Sequence, residues 1–166
     1  MGYGGNLDFA WQGVWYVEGK ITVGAANRAE AFYSLGQSVL CVMAVRSTDV
    51  SITDKQSGIP SWLLQAAAKA ESAGCGNCGE QAAIAFVHLS RKLKVRPLDY
   101  MHRTNADRAF VVIGRDGKSD ESDYRTWGSA CVVCDPWADA AFAAVNIPKK
   151  AYKGETFEAE SIFRQG

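Results

Sequence analysis

An α+β domain, helices first and an antiparallel sheet after them, is the fold class this sequence predicts. Three observations predict it. Apolar residues in the first half recur at helical spacing, with Ala29, Ala31, Phe32, Leu35, Val39 and Met43 on one stripe. The second half carries short β-rich runs bounded by turn residues, Ala109-Phe110-Val111-Val112-Ile113-Gly114 and Ala130-Cys131-Val132-Val133-Cys134-Asp135. The 166 residues, 48 % apolar and 22 % charged, suffice for one domain with a sizeable core, and no repeat or linker divides residues 1–166.

Residues 7–24 mix aromatics and glycines (Phe9, Trp11, Val14, Trp15, Val17, Ile21, Val23) and read as a strand or hairpin turning at Glu18-Gly19-Lys20. Trp11 and Trp15 read as core cover, with a partner-facing patch as the alternative. Residues 27–45 read as a helix, with Cys41 an inert buried thiol on it. Residues 46–59 are polar and loop-like. Pro60-Ser61-Trp62 opens a second helix to about Ser72, since proline fits the first turn. A third helix follows Cys78 to about Leu93, with Arg91, Lys92 and Lys94 near its negative end. Residues 97–101 form a strand, Arg103 to Asp107 a turn, and 109–114 a buried strand. Residues 115–124 are turn-like. The run 130–135 is a further strand, ended by Pro136-Trp137. Short helices are expected over Ala138–Val145 and Glu155–Arg164.

Lys plus Arg and Asp plus Glu both number 18, so the basic excess of a nucleic-acid footprint is missing. No apolar run approaches the roughly 20 residues of a membrane span. The glycine-rich start lacks the regions of a signal peptide and fits a domain cut from a longer chain. Five cysteines, an odd number, beside a real core suggest a compartment that keeps thiols reduced.

The chain is organised around Ala73-Gly74-Cys75-Gly76-Asn77-Cys78-Gly79-Glu80-Gln81. A cysteine in the first helical turn meets unpaired N–H groups and the positive end of the dipole. That field favours thiolate, so Cys78 is the candidate nucleophile, with a lowered pKa expected. Two other readings compete. Cys75/Cys78 with Cys131/Cys134 has zinc spacing, but residues three apart on a strand face opposite ways, so no metal is expected. A thioredoxin-like dithiol wants a strand before the motif, where Leu63–Ser72 reads as helix; a regulatory Cys75–Cys78 disulfide stays open. A cysteine nucleophile needs a histidine and a carboxylate to orient it, and Asp135 at a strand end supplies the latter.

Gly76-Asn77-Cys78-Gly79-Glu80, Asp107 to Gly114 and Val133-Cys134-Asp135-Pro136-Trp137 resemble, in order and spacing, the three motif blocks of papain-like and transglutaminase-like cysteine enzymes. The likeness is greatest to bacterial effector and toxin domains and spans about residues 60 to 140. It implies helices packed on an antiparallel sheet, with the nucleophile at the N-terminus of a central helix. By position, Cys78 is the nucleophile and Asp135 the orienting carboxylate. The Cys78 N–H forms part of the oxyanion hole, with Asn77, Gln81 and Gln65 as candidates for the second donor. The implied activity is cysteine proteolysis of a protein. Deamidation or transglutamination of glutamine uses the same triad, and a pseudoenzyme would bind without turnover. The implied partners are a protein substrate and an immunity protein, with no cofactor, in an effector delivered into another cell.

One departure stands out. The family pattern is Asp-His-Ala-Phe, and this sequence has Arg108 followed by Ala109. The motif places the lost histidine at 108, and alanine's use as a replacement points to 109. An engineered inactive form, a natural pseudoenzyme or a substitute histidine would each account for it. His88 lies roughly 15 Å along the helix from Cys78; His102 ends the strand before the gap. Surface or capping roles suit both. Trp137 walls the site or anchors the strand end. Glu80 caps the helix, Cys134 faces the core, and Arg46, Arg103 and Arg115 read as solvated.

Overall fold

A computed structural model describes residues 2–25, 37–47, 52, 56–150 and 156–166. It is an α+β fold: helices α1 (Tyr3–Lys20), α2 (Gln37–Ser47), α3 (Ser61–Ala73) and α4 (Cys78–Arg91) precede strands β1 (Leu98–Arg103), β2 (Ala109–Ile113), β3 (Val132–Asp135) and β4 (Ala140–Ala143). A short α5 (Ile147–Lys150) and strand β5 (Ala159–Gln165) complete it. The antiparallel sheet runs β4-β3-β2-β1-β5.

Strand alternation divides the core. Leu98, Tyr100, Ala109, Val111, Ile113, Val132 and Cys134 face α1, α3 and α4 in one cluster. Met101, Phe110, Val112, Cys131, Val133 and Phe142 face the other way, around fully buried Trp127. Cys131 and Cys134 therefore lie on opposite faces of the sheet, as their spacing predicts. On the second face, Asp99 accepts from Arg115 Nη2 at 2.6 Å, Arg164 Nη1 at 2.7 Å and Ser161 Oγ at 2.9 Å.

Five expectations are corrected. Residues 7–24 form no hairpin, because α1 takes 3–20. Its buried Asn6, Ala10, Gly13, Val14 and Val17 follow a 3.6-residue stripe. Gly13 permits close approach rather than a break: a Cβ there would lie 3.1 Å from Cys134 Sγ and 3.2 Å from Leu89 Cδ1. Trp11 packs against the core and Trp15 is 60 % exposed, stacked on Trp11 one turn away.

The expected helix over 138–145 is instead a 3₁₀ turn (Pro136–Ala138), a left-handed Asp139 and β4, whose Ala140–Ala143 pairs with β3. Alanine favours helix, but ladder pairing and burial of Phe142 prevail. The tail is likewise a strand, β5, paired with β1.

On α2 the predicted stripe is displaced. Val39 and Met43 are exposed, while Ser38, Val42 and Val45 are buried. Ala29, Ala31, Phe32 and Leu35 lie outside the described residues. Finally, the arginines are not all solvated. Arg103 and Arg115 are buried among carbonyls and carboxylates, and Arg46 holds Glu80.

Candidate active site

The loop from α3 to α4 carries the site. α3 ends at Gly74, and Cys75 makes a parallel bridge to Gly24 before α4 begins at Cys78. A reciprocal capping box starts α4: the Asn77 side chain accepts from the Glu80 N–H, and Glu80 Oε2 accepts from the Asn77 N–H at 2.9 Å. Arg46 of α2 clamps Glu80, Nε to Oε1 at 2.8 Å and Nη2 to Oε2 at 3.3 Å. Burial pushes the Glu80 carboxyl up, but the Arg46 hydrogen bond and charge outweigh it and hold it below the ordinary value. Glu80 is thus the cap the sequence predicts. Asn77 is committed to the same cap, and Gln81 Nε2 donates to the Gly76 carbonyl at 2.8 Å. Both oxyanion candidates thus serve the loop itself. Gln65 stays half-buried on α3.

Cys78 is buried, with its thiol donating to the Asp107 carbonyl at 3.7 Å. Its pKa is raised, not lowered as the helix position predicts. Burial is the largest cause and Asp107 adds to it. The N–H groups of Ala109 and Gly79 and the charge of Arg108 act in the opposite sense.

β2 and β3 bring the other two motif blocks together. Arg108, just before β2, donates from Nη2 to Asp135 Oδ2 at 2.9 Å and from Nε at 3.2 Å. Its guanidinium carbon lies 3.9 Å from the Trp137 ring centre. Asp135, with 0 % exposure, also accepts the Ala138 N–H at Oδ1. The side chain at 108 therefore meets the carboxylate. Ala109 offers its backbone N–H to the thiol and its methyl to the helix-side core. The Trp137 ring lies against this pair.

The histidines lie elsewhere. His88 stacks on Tyr16 with ring centres 3.8 Å apart. His102 pairs across from Ala109 in the β1–β2 ladder. Neither donates to or accepts from the thiol in the hydrogen bonds of the described residues.

The cysteines overturn two expectations. Cys41 is no inert thiol: it forms a disulfide with Cys75, Cα atoms 6.2 Å apart. A Cys75–Cys78 bridge is thereby displaced, and the expectation of uniformly reduced thiols fails. Cys134 is the buried core thiol predicted, its sulfur donating to the Ala10 carbonyl at 3.3 Å. Burial pushes the Cys131 thiol up to about 12. Among the described residues, no group of three His, Cys, Asp or Glu side chains could hold a metal ion.

A cleft of about 150 Å³ lies between α1 and the end of β3, lined by Glu18, Ile21, Gly24, Gln81, Pro136 and Asp139. No described helix is long and apolar enough to cross a membrane. Compared with known proteins, the chain matches no family model, no curated protein sequence and no solved structure.

Proposed function

We propose that this chain carries the reaction frame of a papain-like cysteine hydrolase acting on a protein, with arginine in the place of its general base. One observation supports this above the others: the side chain of residue 108 is held by the buried carboxylate of Asp135, beside a cysteine in the first turn of α4. In a Cys-His-Asp triad, that carboxylate fixes the tautomer and orientation of an imidazole. With histidine at 108, the imidazole would take the Cys78 proton. Sulfur would attack an amide carbonyl, and the oxyanion would form near the helix N-terminus. The imidazolium would protonate the leaving amine, and water would cleave the thioester. A backbone amide makes this proteolysis; a glutamine side chain makes it deamidation, or transglutamination with an amine acceptor.

Arginine cannot take the proton, because guanidinium stays charged at any physiological pH. The chain as it stands binds its protein target without turnover. A delivered effector also fits the Cys41–Cys75 disulfide, which belongs to chains that fold in or cross an oxidising compartment. A cognate immunity protein in the producing cell would accompany such an effector.

The test is Arg108→His. Alkylation of Cys78 against pH, read by peptide mass spectrometry, should show a reactive pKa well below the free-thiol value of about 8.5 in the variant. The unsubstituted chain should show one above it. The variant, but not Arg108→His/Cys78→Ala, should then cleave or deamidate a protein substrate. Ala109→His should not shift the profile. If Arg108→His leaves the profile unchanged, the hydrolase frame is wrong.

A further inference from the structure

α2 is tied to the nucleophile loop by a covalent bond and an ion pair. Among the described residues, its apolar contacts form a small cluster, Val42 and Val45 with Cys75, apart from the two main clusters. A cavity of about 450 Å³ lies between α2 and α3 beside the disulfide, lined by Cys41, Ala44, Val45, Ala68, Lys69 and Ala73. Across that opening fewer dispersion contacts join the two helices. On the outer side, Leu40 and Met43 are 68 % and 64 % exposed. Among the described residues, two further links join α2 to this loop: the Cys41–Cys75 bond and the Arg46–Glu80 pair, the latter with Arg46 more than half in solvent.

Both links end at the candidate site. Cys75 is three residues before Cys78, and Glu80 is two residues after it. Arg46 is near enough to Asp107 and the Cys78 thiol to feel their charge. Whatever releases α2 therefore changes the surroundings of the buried thiol.

We propose that the Cys41–Cys75 disulfide is a redox latch on the Cys78 site, opened by a thiol reductant of the kind that fills a cell interior. Two thiols of the reductant lose two electrons and two protons and become its disulfide. Cys41 and Cys75 gain them as two thiols, and the S–S bond between them breaks. α2 then leaves α3, Arg46 leaves Glu80, and Cys78 becomes accessible from that side. α4 and the sheet stay folded, because their core does not include α2. The proposal rests on Cys78 as the reactive group of the site, and adds the condition under which it is uncovered. A chain carried oxidised outside a cell would expose its site only after arrival.

The experiment compares the oxidised chain, the chain reduced by a dithiol, and Cys41→Ser/Cys75→Ser. A neutral alkylating reagent is used at one pH, with Cys78 followed by fragment-resolved mass spectrometry. The double variant leaves Cys78 the sole thiol in its peptide. Hydrogen exchange is measured on the same samples. The expected result is an increase of about tenfold in the Cys78 alkylation rate in both reduced forms. Protection should be lost in α2 and kept in α4 and β1–β3. Equal Cys78 rates in all three samples overturn the latch, and so does a loss of protection in every element together. These outcomes are independent of Arg108→His, whose unchanged pH profile would remove the hydrolase frame whether or not α2 lets go.

Discussion

Arginine at position 108 makes the Asp135 carboxylate one half of an ion pair. Asp135 is wholly buried and the Arg108 side chain is 14 % exposed, and the guanidinium also lies over Trp137. Removing one partner of such a pair leaves a charge in the interior without its counter-charge. Arg108→Leu should therefore destabilise the fold by about 3 kcal/mol, measured by urea unfolding. Arg108→His keeps a donor toward Asp135 and should cost clearly less. Part of this geometry was legible in the sequence: Cys78 starts a helix, Asp135 ends a strand, and residue 108 before the neighbouring strand reaches that carboxylate. The thiol's pKa was not legible. A helix N-terminus predicts a lowered value, but burial is a property of the finished core and acts in the other direction. The Cys41–Cys75 pairing was equally hidden, since cysteine spacing does not specify connectivity.

Among the elements, α4 shows the closest agreement between sequence and structure. Asn77 and Glu80 write its start, and Arg91 ends it. The Glu80 cap also ties stability to pH. Its folded pKa lies below the unfolded value of about 4.3, so the folded state binds fewer protons between the two. The contribution is complete above the unfolded pKa and is lost as pH falls through the folded one. Unfolding curves of the chain and of Glu80→Gln should thus differ by a constant amount at neutral pH and converge in acid. A gap that persists below both pKa values would assign the effect to shape rather than charge. β2 and β3 are legible because their runs are apolar and β-branched and sit in the middle of the sheet. α1, β4 and β5 are not. The glycines of α1 look like breaks until Cys134 and Leu89 are seen pressing on Gly13. β4 and β5 are outer strands, and their state is decided by the ladder beside them rather than by their own composition.

For the whole molecule, the sheet separates two kinds of cohesion. Its helix side is apolar, whereas its other side joins an aromatic cluster to the Asp99 network. Asp99 is fully buried and ties β1 to β5 through Arg164 and Ser161, and to the segment after β2 through Arg115. Asp99→Ala should cost about 3–5 kcal/mol in a denaturant titration, because it strands Arg115 in the interior. A loss under about 1 kcal/mol would mean that water reaches the network. The pairing of β5 with β1 carries a consequence for biosynthesis. During translation β1 emerges beside β2 while its other flank waits for β5, made much later. Until then β1 offers an unpaired row of amides to any passing chain. Closing so long a loop is slow relative to local contacts, so a nascent-chain chaperone that shields this strand should raise the yield of soluble protein.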